Sequence, residues 1–316
     1  MSIPVAPISF PDPPPRGRTL LVFVAMGAFA QIAQALLIRA WLVVFQGNEI
    51  SIGAFYGGWL FWIAMGGWGA VRWAGRWPTP QPLPWVQRLL LLLPPLLLLQ
   101  LFSVRSVRFF LEVPAGQFIP LGTLLASAFL LTLPVGFSLG LLFPLACKAL
   151  ATTRGEPIAN LYAVESLGAL LGALLFTFFL VDTLEIHHSI GLLLLLMTGA
   201  GWLLREFGGR WVRHWLTLTL VFGLLLTVTP MGKWLTERME TWRFASLHPT
   251  LQLVDAVETR YGHVAVGQLG GQYSVVEDGR ITGSFPDPRR VALDAALFYT
   301  QISQYQKNPR ILLFGG

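Results

Sequence analysis

Cysteine is almost absent. Cys147 stands alone in 316 residues, which excludes an intrachain disulfide, and its place at the end of an apolar run reads as packing. Charge is scarce as well: Asp, Glu, Lys and Arg make up 12% of the chain, against about a quarter in a soluble domain. The net charge is +6, but the basic residues are scattered through short loops rather than gathered on one soluble face. The high isoelectric point therefore does not mark a nucleic-acid binder, and no nucleic-acid partner is expected.

What the chain has in excess is apolar sequence, 54% of its residues, arranged in long uninterrupted runs. About 20 apolar residues cross the hydrocarbon core of a bilayer. Seven runs qualify: Thr19–Phe45, Ser51–Val71, Trp85–Val104, Ile119–Cys147, Ala159–Val181, Ser189–Leu204 and Trp211–Thr229. Pro94-Pro95 in the third and Pro134 and Pro144 in the fourth predict kinks. The first run follows a Pro-rich leader (residues 1–18), is too long for a signal peptide, and has no small-residue cleavage site, so it is read as a span. The expected location is an integral protein of the cell (inner) membrane, with the lipid bilayer as its first partner.

Loop charges place Arg16, Arg18, Arg72, Arg76, Arg88, Lys148, Arg154, Arg205, Arg210 and Arg213 on the side of the N-terminus. Arg105 and Arg108 fall on the other. This distribution puts the N-terminus in the cytoplasm. Seven spans would then place the C-terminal tail outside, whereas Lys233, Arg238 and Arg243 just past the last span argue for the inside. A cytoplasmic tail is the preferred expectation, because its fold asks for a cytosolic ligand.

Composition changes after Pro230. Residues 230–249 read as an interfacial helix, with Leu235, Met239 and Trp242 on its apolar side and Lys233, Glu237, Glu240 and Arg243 opposite. Residues 250–285 read as a small antiparallel sheet. Leu251–Val257, Gly262–Gln268, Gln272–Val276 and Arg280–Phe285 have strand composition, and Gly270-Gly271 and Asp278-Gly279 are tight-turn pairs. A helix opens at Pro286-Asp287-Pro288 and runs to about Gln306 before Asn308-Pro309. The final residues, Ile311–Phe314 followed by Gly315-Gly316, have the form of the first strand of a doubly wound α/β domain entering its glycine turn. The fold class expected is thus a multi-pass α-helical membrane domain of about seven spans, then a small antiparallel β-sheet, one helix and the first strand of an incomplete Rossmann-like α/β domain. Its domains are 19–229, 230–249, 250–285 and 286–316.

These motifs carry a resemblance. The order Glu258-Thr-Arg-Tyr-Gly-His-Val-Ala-Val, Gly271-Gln-Tyr-Ser-Val-Val-Glu-Asp-Gly-Arg, Phe285-Pro-Asp-Pro, helix, Arg310-Ile-Leu-Leu-Phe-Gly-Gly resembles the front of the spermidine synthase (polyamine aminopropyltransferase) family. It is closest to the membrane-fused members. Two span segments, Gly136–Ala146 and Asn160–Ala173, are similar to that family's recurrent motifs. The resemblance implies an S-adenosyl-dependent transferase whose full-length form uses decarboxylated S-adenosylmethionine or S-adenosylmethionine. It implies a glycine turn beginning at Gly315 and Gly316, and a cationic amine held by carboxylates. It also implies a homo-oligomer. Carried over by position, the substrate-binding candidates are Tyr261, Asp278 and Asp287. The chain departs from soluble members, which have Tyr-Gln at Tyr261-Gly262 and Asp-Gly-x-x-Gln at Asp278–Thr282. Of a following acidic stretch this chain keeps only Asp287. No catalytic residue is expected, and these 316 residues alone are expected to be inactive, as the front of a transferase that is either truncated or completed by a separately encoded C-terminal half.

Two further candidates lie in the spans. Glu165 is a carboxylate inside an apolar run, a functional candidate because it is costly to place there, with Arg39 in the first run as a conceivable partner. Those two residues would serve an alternative in which the spans move or sense a small amine. Gly168 and Gly172 form a Gly-x-x-x-Gly pair that permits close helix packing. His187-His188, with Asp182 and Glu185 nearby, lacks metal-ligand spacing and is read as a surface loop, so no metal is expected.

Overall fold

The computed structural model describes residues 15–74, 83–114, 117–150, 158–207 and 210–303. Helices α1 (Arg16–Val44), α2 (Glu49–Ala74), α3 (Leu83–Phe110), α4 (Leu121–Leu150) and α5 (Ile158–Leu175) come first. A π-helical turn, Phe176–Leu180, carries α5 into the short α6 (Val181–Thr183). Then follow α7 (Ile186–Leu203), α8 (Arg210–Val228) and α9 (Pro230–Leu247). Among the described residues six helices are long and apolar enough to cross a membrane, counting α5 through Thr183 as one. The seventh expected span is α8, which reaches that standard only together with α9, and the pair is bent by 77°. Arg210, Arg213, His214 and three threonines dilute its apolar character.

Helix α1 is the centre of the bundle. Phe23, Phe29, Leu37 and Trp41 are fully buried, and the core cluster spreads from them to α3, α4, α5 and α7. Apolar side chains have no solvent to flee inside a bilayer, so close backbone approach has to hold the spans together. The glycines provide it. A Cβ on Gly27 would overlap the carbonyl oxygen of Glu165, one on Gly168 would overlap that of Val24, and one on Gly172 would crowd Ala28. Helices α1 and α5 therefore touch backbone to backbone, and Gly66 and Gly140 do the same for α2 and α4. The expected proline kinks are handled without ending a helix, since α3 runs through Pro94-Pro95 and α4 through Pro134 and Pro144. Pro134 disturbs the local ladder, and Gln100 of α3 reaches across so that its Oε1 accepts from the backbone N–H of Val135 at 3.0 Å.

Helix α8 returns antiparallel along α7: Gly201 sits against Leu216, Thr198 bonds Thr219 at 2.8 Å, and Gly191 sits against Thr227. Arg18 at the start of α1 bonds Glu206, just past α7, at 2.9 Å. The far end of α1 lies under the sheet, where the Gln46 carbonyl accepts from Arg280. The sheet and the first turn of α1 thus occupy opposite ends of the bundle.

The sheet is a four-stranded antiparallel meander of β1 (Gln252–Thr259), β2 (Gly262–Leu269), β3 (Gln272–Glu277) and β4 (Arg280–Phe285). Both expected tight turns are present, with positive φ at Gly270, Gly271, Asp278 and Gly279. Gly279 serves a second purpose: a Cβ there would overlap the carbonyl oxygen of Val43, so the β3–β4 tip rests directly on the last turn of α1. Helix α10 (Pro288–Ser303) follows, with the Asp287 carboxylate accepting from the N–H of Arg290 at 3.1 Å. The end of the expected helix, the strand Ile311–Phe314, and Gly315 and Gly316 lie outside the described residues.

Candidate functional site

The chemistry of this chain collects where the sheet meets the helices. Arg39, near the end of α1, points its guanidinium at the sheet, 2.9 Å from the Glu258 carboxylate of β1, and also donates to the Thr259 carbonyl. On α9, Glu240 lies 2.5 Å from Arg243 and 3.1 Å from His263 Nε2 of β2. Arg105 of α3 is 3.9 Å from the same Glu240. Three arginines, two glutamates and a histidine from α1, α3, α9, β1 and β2 therefore form one connected group, mostly out of solvent. The Arg243 side chain is 1% exposed and that of Arg105 5%.

Burial alone would push the carboxyls of Glu240 and Glu258 up. Arg243 first, with His263, Arg105 and (for Glu258) Arg39, outweighs that penalty and holds both below the ordinary glutamate range. A carboxyl with a folded-state pKa below its unfolded value of about 4.3 stabilises the fold fully above that value. The contribution is lost as pH falls through the depressed values. Acidification below about pH 4 is therefore expected to loosen the sheet from the bundle while leaving the apolar spans in place. Limited proteolysis across a pH series reads this, with an acid-active protease. Cleavage sites should open first in residues 250–303, and equal protection at both ends of the series would contradict the assignment.

Beside this group lies an open cleft of about 630 Å³ between β1, α9 and the α6–α7 corner. Its carboxylates are Asp182, Glu185, Glu237, Glu240, Asp255 and Glu258. Among the described residues Arg105 and Lys233 line it as cations, and Arg39 and Arg243 pair from beside it with Glu258 and Glu240. Val181, Leu184, Ile186, Val254 and Val257 supply an apolar wall. Arg260 pairs with Asp182 across one end of the cleft. The arrangement suits a ligand carrying positive charge.

The residues singled out from sequence fall differently. Arg39 is at the site, but its partners are Glu258 and the β1–β2 turn, not Glu165. Glu165 sits farther down the bundle, its backbone pressed on Gly27. Tyr261 is 92% exposed in the β1–β2 turn. Asp278 closes a hairpin, accepting from the His263 N–H at 2.9 Å, and Asp287 caps α10. None of these three lines the cleft. Gly315 and Gly316 lie outside the described residues.

Three expectations need correction. His187 is not in a loop: it is buried in the first turn of α7, with Nδ1 3.4 Å from Glu185. Arg105 and Arg108 are not loop charges, because α3 extends past Val104 to Phe110 and buries both. Arg108 donates to the carbonyls of Val44 at 3.0 Å and Gln117 at 2.6 Å, satisfying the end of α1. On α9 the inward stripe is Gly232, Thr236, Arg243, Phe244 and Leu247, so Glu240 and Arg243 turn in while Trp234 and Trp242 turn out. The spacing of 232, 236, 240, 243 and 247 carries that stripe in the sequence, concealed because its middle is charged. No group of three His, Cys, Asp or Glu residues placed to hold a metal ion is found among the described residues.

The helical part is a membrane-type bundle by length and composition, and the sheet is docked on one end of it. In comparisons with protein-family models, characterised proteins and solved structures, nothing matches this chain.

Proposed function

We propose that this chain is the membrane-anchored front portion of a spermidine synthase-like, S-adenosyl-dependent transferase. The spans hold the small sheet at the membrane surface, and the cleft between them receives a cationic amine. The observation that carries the reading is the acidic lining of the cleft at the foot of the sheet, where Glu185, Glu237 and Asp255 remain after Arg39, Arg243 and Arg260 have paired with Glu258, Glu240 and Asp182. The sequence motifs of the tail agree with it. An S-adenosyl donor would be held by the turn that opens at Gly315-Gly316, outside the described residues. Helix α10 exposes Val291, Phe298 and Tyr299 along one side and Leu293 and Leu297 on another, apolar surface suited to the remainder of such a domain, whether it belongs to this chain's extension or to a second polypeptide. Of the two residues named for the alternative in which the spans move an amine, Arg39 is paired with Glu258 at the foot of the sheet.

Calorimetric titration of the full chain with putrescine tests the reading. Binding is expected, weakening with added salt. The double substitution Glu237→Gln, Asp255→Asn should reduce affinity by about two- to thirtyfold, at about 0.2–1 kcal/mol for each exposed charge. No binding by the wild-type chain would remove the amine from the proposal.

A cytoplasmic sheet in the cell membrane is part of the same proposal, since the donor is cytosolic; because the sheet and the first turn of α1 occupy opposite ends of the bundle, it requires the N-terminal end with its arginines to lie outside, against the usual distribution of loop charges. Cys147 is buried, so a cysteine introduced at Tyr261 would be the reporter. It should resist a membrane-impermeant thiol reagent in intact cells and react after lysis. Reaction in intact cells would put the sheet outside and rule out S-adenosyl chemistry there.

A further inference from the structure

The buried group is not neutral. Arg39, Arg105 and Arg243 face Glu240 and Glu258, so one cation is left over when His263 is uncharged. The distances say which. Arg39 holds Glu258 at 2.9 Å and Arg243 holds Glu240 at 2.5 Å. Arg105 reaches no closer than 3.9 Å to Glu240 and makes no hydrogen bond among those found for the described residues; the Nε atoms of Arg105 and Arg243 are both buried without an acceptor, but Arg243 has its carboxylate in contact and Arg105 does not. A guanidinium presents five donors in a fixed fork. Leaving it buried and unmatched is costly, and an anion arriving from outside removes the cost.

Two openings touch Arg105. The one on the bundle side, bounded by Leu36, Phe176 and Leu180, has a volume of about 20 Å³. That is room for about one water and not for an oxyanion. The other is the cleft of about 630 Å³, whose rim is acidic. A simple anion would have to pass Asp182, Glu185, Glu237 and Asp255 to reach Arg105. A molecule with an anionic group inward and an ammonium group outward satisfies both. The cleft also lies at the end of the spans, with an apolar wall from α6, α7 and β1, and exposed Trp234 and Trp242 on the outer face of α9 mark the level of a membrane surface.

We infer that the cleft binds a zwitterion of the phosphoethanolamine type, its phosphate on Arg105 and its primary amine among the rim carboxylates, supplied as a lipid headgroup or as the free compound. This rests on the reading of the cleft as an amine site and adds the anionic half that a plain diamine lacks.

The test uses the full chain in detergent, titrated separately with phosphatidylethanolamine, phosphatidylglycerol, soluble glycerophosphoethanolamine and putrescine. Binding is followed by the thermal unfolding midpoint and by native mass spectrometry. Phosphatidylethanolamine should bind more tightly than phosphatidylglycerol, and Arg105→Gln should weaken it at least about tenfold. Arg105→Gln should fold, since it removes the unmatched charge. Asp255→Asn, at an exposed rim position, gives a second handle: it should weaken phosphatidylethanolamine and leave phosphatidylglycerol unchanged. If the soluble compound binds as well as the lipid, the free zwitterion suffices; if only the lipid binds, the ligand is a headgroup presented by the bilayer. Either result supports the inference. Putrescine binding with neither zwitterion bound overturns it and leaves the amine reading standing. Zwitterion binding unaffected by both substitutions overturns it too. No binding of any of these ligands overturns both readings.

Discussion

Glu240→Ala will detach the sheet. The substitution removes the one carboxylate in contact with Arg243, His263 and Arg105, and leaves the buried Arg243 with Glu258 as a counter-charge that it does not touch. Breaking a buried pair from one side costs about 3–5 kcal/mol, because the surviving ion has neither water nor partner. That exceeds what the small apolar cluster of Phe244, Ala265 and Val276 is placed to absorb. Protease resistance of residues 250–303 should collapse while the helical content of the spans persists, as read by limited proteolysis beside circular dichroism in detergent. The double substitution Glu240→Met, Arg243→Met should restore most of the protection, because replacing both members of a buried pair by apolar groups is often near neutral. Failure of the double variant to recover would mean that the pair supplies more than compensated charge.

The second large effect is expected in the bundle. Gly27→Ala places a methyl where the Glu165 carbonyl already lies, and the obstacle is the backbone of α5, which no rotamer change moves aside. Overpacking of this kind costs about 1–3 kcal/mol, occasionally more. Gly57→Ala on α2 is the control: nothing lies within 4 Å of its Cβ position, and removing a helical glycine should leave stability unchanged or raise it by about 0.5–1 kcal/mol. Thermal unfolding midpoints of the two variants in the same detergent give the comparison. Similar midpoints would mean that α1 and α5 are not held by close approach.

The spans, the meander and α10 were legible because each is a local pattern. Apolar runs of bilayer length announce helices, and paired residues at Gly270-Gly271 and Asp278-Gly279 announce the hairpins. The site was hidden for two physical reasons. Arg39 and Glu258 are 219 positions apart, and no periodicity reports which side chains meet across that separation. The inward stripe of α9 carries Glu240 and Arg243, so a reading that sends charge outward rotates the helix the wrong way. Arg105 carries the signature of a loop charge because the apolar run of α3 stops one residue before it, although the helix continues to Phe110. Glycine was legible as a packing residue at Gly168 and Gly172, while its partner surface at Gly27 and Val24 on α1 was not.

The placement of α1, entering beside Glu206 and delivering the chain beneath Arg280, has a consequence for biogenesis. Whichever side of the membrane receives the C-terminal end of α1 also receives the sheet, because the β3–β4 tip rests on Val43 and Arg280 on the Gln46 carbonyl. The direction in which α1 is inserted therefore settles which pool of small molecules the sheet meets.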